Sequence, residues 1–333
     1  MKKINSVRGL MVAGLFALSL PGLSFAPRAF AAQGCRSVQV PVSIAGDLHP
    51  YTIAGTFCRP AAATATVLLL VPGATYDRRY WDWPIRPDTY SFVAAMAGTG
   101  FATLAIDRLG EGGSSHPPAT EVTIPSSATA IHQVVTWLRQ VEGIKRVVLV
   151  GHSLGSDMSV IEAGMYKDVD GLVVSGYLHT FSPAAAALNT AFYPTQDDSE
   201  WQGAHLPPGY ITTRPGARSL FYYSPNMDAD IAAYDEAHKA VGTVGEFANF
   251  IPLFEHNQSA RIRVPVLAVV GEDDAVFCSN VSCPQASIES GFYGPAAHFQ
   301  LVVVPDAGHD LNLQRNAQVW YTICRHWLTA LPA

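Results

Sequence analysis

The residues best suited to chemistry are Ser153, His309 and one of Asp273 and Asp274. Ser153 stands at the centre of Gly151-His152-Ser153-Leu154-Gly155, after the apolar run Val147-Val148-Leu149-Val150 and before a helical-looking segment, Ser156 to Ile161. A buried strand, a tight turn and a helix start fit that order. Glycines flank the serine because such a turn leaves no room for a Cβ, and the serine is pushed to the tip. There its hydroxyl is exposed, and the following backbone N–H can face a developing oxyanion. A serine hydroxyl is a poor nucleophile until a base takes its proton, and the base needs an orienting carboxylate. Two later apolar runs end in such groups. Leu267-Ala268-Val269-Val270 leads into Gly271-Glu272-Asp273-Asp274, and Leu301-Val302-Val303-Val304 leads into Pro305-Asp306-Ala307-Gly308-His309-Asp310.

For these three groups to meet, the runs that carry them must lie side by side. Val38 to Ile44 and Tyr51 to Cys58 read as an antiparallel hairpin around a Gly46-Asp47 turn. Thr66 to Val71 and Phe101 to Ile106 are continuous apolar strands, and Tyr90 to Ala97 between them is helical. Ser127 to Val141 carries Ile131, Val134, Val135 and Leu138 at helical spacing. After the serine turn come a helix to Tyr166 and a strand at Gly171 to Ser175. The rhythm resumes with a strand at Val264 to Val270, a helix near Gln285 to Ser290, a strand at Phe299 to Val304 and a closing helix from Leu313 to Leu328. Such alternation predicts an α/β fold, a mostly parallel eight-stranded sheet with helices on both faces. Residues 180–263 break the rhythm. They are rich in Ala, Pro and aromatics, with loose helical patterns such as Asp228 to Val241, and read as an inserted cap. Loops at the carboxyl ends of parallel strands share one crevice, so the serine, acid and histidine can converge there despite their separation in the chain.

The order serine, acid, histidine together with Gly151-His152-Ser153-Leu154-Gly155, Gly271-Glu272-Asp273-Asp274 and Gly308-His309 resembles the α/β-hydrolase superfamily over nearly the whole chain outside the cap. In that family the acid stands three residues after the glycine, which selects Asp274 over Asp273. The family's alternative acid site, after the strand before the cap, reads Gly176-Tyr177-Leu178-His179 here and holds no carboxylate. The resemblance implies oxyanion donors at Ala74 and Leu154, although Pro72-Gly73-Ala74-Thr75-Tyr76 lacks the family's usual histidine. The implied activity is a serine hydrolase of carboxylic esters, lactones included, with Ser153 as nucleophile, His309 as base and Asp274 as its orienter. Relatives with the same triad cleave amide or carbon–carbon bonds or form peracids. A non-catalytic binding protein on this fold is the alternative from a different class.

Other residues carry weaker signals. Tyr76 offers a hydroxyl that can assist the oxyanion, with packing at the pocket wall as the other reading. Tyr80, Trp81 and Trp83 make the loop after the third strand richer than a plain loop needs and are candidates for the substrate pocket, with core packing as the other reading. His179, at the start of the cap, is a further pocket candidate, with a satisfied local hydrogen bond as the other reading, and His152 is expected to pack or hydrogen-bond beside the serine. No His-x-x-x-His or Cys-x-x-Cys spacing supports a metal, and no cofactor is expected. The glycine-rich loop Asp107 to Ser115 lacks the Lys-Ser/Thr ending of a phosphate loop.

The N-terminus reads as an address. Lys2, Lys3 and Arg8 precede the apolar run Gly9 to Leu20, and Ala29-Phe30-Ala31 supplies small residues for cleavage, so residues 1–31 are expected to be a removed signal peptide. Its loss removes four cations (Lys2, Lys3, Arg8, Arg28) from 21 and no acid from 27, taking the net charge from −6 to −10. An acidic chain of this kind has no basic face for nucleic acid or anionic lipid, and no membrane span is expected after cleavage. At 49% hydrophobic and 14% charged, the chain can bury a large core. Secretion or a periplasmic location permits disulfides, and the natural pairs are Cys35 with Cys58 and Cys278 with Cys283, leaving Cys324 over. The expected partner is a small ester-type molecule.

Overall fold

The computed structural model describes residues 34–44, 50–60, 65–248, 256–278 and 283–332; the expected signal segment and the Gly46-Asp47 turn lie outside the described residues. The strands are β1 (Gly34–Val42), β2 (Tyr51–Arg59), β3 (Thr66–Val71), β4 (Ala102–Ile106), β5 (Arg146–His152), β6 (Gly171–Ser175), β7 (Phe192–Pro194), β8 (Tyr210–Thr213), β9 (Gly242–Thr243), β10 (Val266–Gly271) and β11 (Gln300–Val304). The helices are α1 (Pro87–Tyr90), α2 (Phe92–Ala97), α3 (Ile124–Gln140), α4 (Leu154–Met165), α5 (Leu188–Ala191), α6 (Ala229–Ala237), α7 (Val244–Ala248), α8 (His256–Ser259), α9 (Ala286–Glu289) and α10 (Ala317–Ala330).

Eight strands form one sheet in the order β1-β2-β4-β3-β5-β6-β10-β11. The β1–β2 and β2–β4 pairs are antiparallel, and every other neighbouring pair is parallel. Strand side chains alternate between faces, so one run supplies two cores. Val67, Leu69 and Val71 of β3 pack with Ile131, Val134 and Leu138 of α3 and Met158 of α4. Leu68 and Leu70 face the other way, onto Phe92 of α2 and Trp320 and Tyr321 of α10. This is why β3 and β5 read as unbroken apolar runs: both faces are covered.

Helix ends follow capping chemistry more than apolar spacing. Helix α3 starts ahead of the expected Ser127, because Thr123 and Ser126 form a reciprocal capping box with Pro in the first turn. The helix expected over Tyr90 to Ala97 is interrupted at Ser91, which is extended and caps α2 by accepting from the Ala94 N–H at 2.9 Å. The closing helix begins only at Ala317, after a short 3₁₀ turn at Leu311–Leu313.

The segment between β6 and β10 is mixed rather than loosely helical. It holds a three-stranded antiparallel sheet, β7-β8-β9, short turns, and α6 in place of the longer helix expected to Val241. Residues Ala31–Ala333 cluster as one compact unit, so this insertion belongs to the same body as the sheet.

Candidate active site

Ser153 lies between the end of β5 and the first residue of α4. Its backbone has φ 50° and ψ −121°, a conformation that costs a non-glycine residue strain and is held by its surroundings. The flanking glycines show why. A Cβ on Gly151 would lie 2.5 Å from the Ser156 Cα, and one on Gly155 would lie 2.4 Å from the Val71 carbonyl oxygen. Neither fits.

The loops after β10 and β11 bring their groups to this turn. His309 Nε2 stands 2.8 Å from Ser153 Oγ, and His309 Nδ1 stands 3.0 Å from Asp274 Oδ2. The other carboxylate oxygen of Asp274 accepts from the Val276 N–H at 2.8 Å and the Phe277 N–H at 3.1 Å, which fixes the orientation of the acid. Asp274 is fully buried, whereas Asp273 next to it is only half-buried and offers the imidazole no contact. Burial alone would lower the pKa of His309, but the Asp274 carboxylate outweighs it, and the imidazole is raised above its ordinary value. A carboxylate only accepts, so in the neutral ring Nδ1–H donates to Asp274 and Nε2 is left to accept from the serine hydroxyl.

Ala74 and Leu154 both line the cavity beside Ser153. Leu154 opens α4, where a helix N–H has no partner within the helix and the macrodipole favours negative charge. At Ala74 the peptide is oriented from behind. The carbonyl of Gly73 accepts from Arg108 Nη2 at 3.1 Å, and a trans peptide turns the N–H of Ala74 the opposite way. Arg108 is itself buried between Glu111, 2.7 Å from Nη2, and Glu246 of α7. This cluster was not legible as part of the site, because Arg108 sits in the glycine-rich loop with no local sign of what it reaches.

A second buried carboxylate, Asp310, borders the same cavity. His152 Nε2 lies 2.9 Å from Asp310 Oδ1, and the Tyr76 hydroxyl contacts Asp310 Oδ2. Burial lowers the pKa of His152, offset only in part by Asp310, so the neutral ring donates through Nε2. Tyr76 is pushed well above the ordinary tyrosine value, first by burial and then by its carboxylate neighbours. From the insertion, Arg218 places its guanidinium 4.0 Å from the Tyr76 ring centroid and pairs with Asp235 at 2.6 and 2.9 Å. Asp310, adjacent to His309 in sequence, is a functional candidate the motif contained without marking it. His152, His309 and Asp310 bring ligand-type atoms within 4.8 Å of one another. Each ring nitrogen of both imidazoles is already engaged, however, so the group reads as a hydrogen-bond network rather than a metal centre.

The other candidates lie elsewhere. Among the loop aromatics only Tyr76 lines the cavity. Tyr80 lies one layer behind, stacked on His152 at 4.3 Å. Trp81 belongs to the core under α2 and α10, edge-on to Phe92 at 5.3 Å, and Trp83 is buried edge-on to Tyr234. Both sit as the packing alternative has it, in the aromatic core and outside the lining of the cavity over Ser153. His179 is likewise committed away from the cavity. Its Nδ1 is 2.6 Å from Glu289 and its Nε2 is 2.5 Å from Ser259, which ties the start of the insertion to α8 and α9.

The cavity over Ser153 measures about 30 Å³, and its apolar lining is Leu188, Phe192, Phe221, Phe247 and Val276. Both expected cysteine pairs, Cys35 with Cys58 and Cys278 with Cys283, have their sulfurs at bonding distance, and Cys324 is free and buried. No helix among the described residues is long and apolar enough to cross a membrane.

Comparison with known proteins is consistent with this architecture. A thermophilic esterase from Thermogutta terrifontis superposes with a TM-score of 0.59 at 18% identity, covering 89% of this chain and 100% of that one. A monoacylglycerol lipase from Paleococcus ferrophilus gives 0.59 at 16% identity, covering 85% and 99%. A bromoperoxidase from Bacillus anthracis gives 0.61 at 15% identity, covering 88% and 100%. At these identities the likeness is one of fold. No curated protein sequence matches the chain. The profile of the alpha/beta hydrolase family matches residues 68–320, and the chain belongs to that family.

Proposed function

We propose that the protein is an exported serine hydrolase that cleaves carboxylic esters. The observation carrying this reading is the continuous line from Asp274 through His309 to Ser153, with contacts of 3.0 and 2.8 Å. Ser153 Oγ attacks the ester carbonyl carbon as His309 Nε2 takes the hydroxyl proton. The carbonyl oxygen becomes an oxyanion facing the N–H groups of Ala74 and Leu154. Collapse of the tetrahedral intermediate breaks the carbon–oxygen bond, and the imidazolium returns its proton to the leaving alcohol. Water then attacks the acyl-serine by the same base, releasing the acid and restoring the serine hydroxyl. Asp274 stays ionised throughout, holding the ring and stabilising its charged form.

Export is supported by the cationic, apolar and small-residue order of residues 1–31 and by two cysteine pairs at bonding distance. The reaction is tested with a fluorophosphonate probe and a p-nitrophenyl ester. The wild-type protein should be labelled and turn over the ester. Ser153→Ala should lose both while keeping its circular dichroism spectrum, because the side chain sits at a turn tip. Full turnover by pure Ser153→Ala would overturn the assignment.

A further inference from the structure

The cavity above Ser153, at about 30 Å³, has room for little more than the reacting carbonyl and a water or two. A much larger groove, about 570 Å³, shares part of its lining with it. Leu188, Phe192 and Phe247 line both spaces, so they form a shared wall between the serine and the groove. The Phe192 and Phe247 rings meet at 4.6 Å. Phe181, Ala185 and Ile211 continue the lining, and none of the described residues that line it is charged. Phe247 is held in place from its own helix, because its neighbour Glu246 is buried and ion-paired with Arg108.

We propose that this groove is the substrate's second subsite, and that the substrate is an elongated, uncharged ester. One apolar arm passes Leu188, Phe192 and Phe247 and lies against Phe181 and Ile211. The inference rests on the ester-hydrolase reading of Ser153. The small inner space forces any substituent larger than a few atoms outward, and the groove's volume lies within the range of small-molecule sites. The described lining, apolar apart from Ser182 and Asn189, desolvates an aliphatic or aromatic arm at little electrostatic cost, whereas a charged arm finds no charged partner among these residues.

Two ester series test it on the full chain: p-nitrophenyl esters from acetate to decanoate, and acetates of straight-chain alcohols from ethanol to octanol. In one of the two series kcat/KM should rise roughly fourfold per added methylene until the groove is filled, the factor expected for burying one such group. Ala186→Asp and Asn189→Lys each place a charge on an exposed stretch of the groove lining, where folding is undisturbed. Each should lower the ratio of long-chain to acetyl kcat/KM at least tenfold in the responsive series. Flat series, a preference for a charged arm, or an unchanged ratio in both variants would overturn the proposal. Absence of both fluorophosphonate labelling and ester turnover would defeat the underlying ester-hydrolase reading as well, an outcome distinct from a labelled, active enzyme with flat series.

Discussion

Asp274 and Asp310 are both fully buried and both border the loop that carries His309, yet they face different groups. Asp274 meets the ring of His309. Asp310 meets His152 and Tyr76, one residue behind the proposed base. If Asp274 orients the imidazole, Asp274→Asn should lower kcat on the order of 10⁴-fold, as loss of the same charge does in a serine protease. Asp273→Asn, which removes a half-buried carboxylate with no contact to the ring, should cost less than about tenfold. The reverse ranking in steady-state assays would move the role to Asp273. A second prediction concerns pH. His309 acts as base only when neutral, and its pKa is raised, so kcat/KM should fall with acid through a value above the ordinary histidine pKa of about 6.5. The stability linkage has the opposite sign: a raised folded-state pKa stabilises the fold below the unfolded value and loses that contribution as pH rises through the folded one. The groups around the ring are Asp274, Asp310 and His152, and the charge on Asp310 contributes to the rise. Asp310→Asn should therefore move the acid limb of a kcat/KM profile downward and cost roughly tenfold in turnover through looser packing of Tyr76 and His152. An unmoved limb would leave Asp310 a structural residue only.

At the scale of elements, legibility followed burial and length. β3 is read to the residue, Thr66–Val71, because a strand covered on both faces needs an unbroken apolar run and stops where Pro72 and Gly73 begin. The serine turn is legible for the same reason, its strand and glycines being local. The insertion is not, since strands of two to four residues are too short to show a period and their partners lie far along the chain. The loop of Arg108 hides its role differently. Arg108 reaches a carbonyl 35 residues upstream, and nothing beside it in sequence signals that contact. It gives a third prediction. Arg108→Lys keeps the positive charge between Glu111 and Glu246 but loses the planar fork that also reaches Gly73. Removing a whole oxyanion donor costs about 10²- to 10³-fold in kcat, so misaiming one should cost roughly tenfold. KM should change little, because the oxyanion contact is made in the transition state. A rise in KM at constant kcat, measured on a p-nitrophenyl ester, would instead place Arg108 in substrate binding.

At the scale of the whole molecule, the two cysteine pairs hold parts of the fold that do different work. Cys35 and Cys58 face each other across the β1–β2 hairpin, at the edge of the sheet and far in order from β5 and β10. Cys278 follows Asp274 closely, and its N–H donates to the Asp274 carbonyl at 2.8 Å, so its bridge to Cys283 anchors the far end of the turn that carries the proposed acid. Their spans differ as well, with sequence separations of 23 and 5. On the chain-entropy account, the longer closure stabilises by about 3 kcal/mol and the shorter by about 2 kcal/mol. The two pairs should therefore give crossed results when each is replaced by serines. Cys35→Ser with Cys58→Ser should lower the melting temperature more and leave kcat within about twofold of wild type. Cys278→Ser with Cys283→Ser should lower the melting temperature less, yet cut kcat on the order of 10- to 100-fold, since a shift near 1 Å in a catalytic group costs about that much. Calorimetry and ester turnover on the two variants, with non-reducing peptide mapping of the parent to establish both bridges, check the crossing. Parallel losses in both variants would mean that the second bridge serves stability alone and does not preorganise the acid.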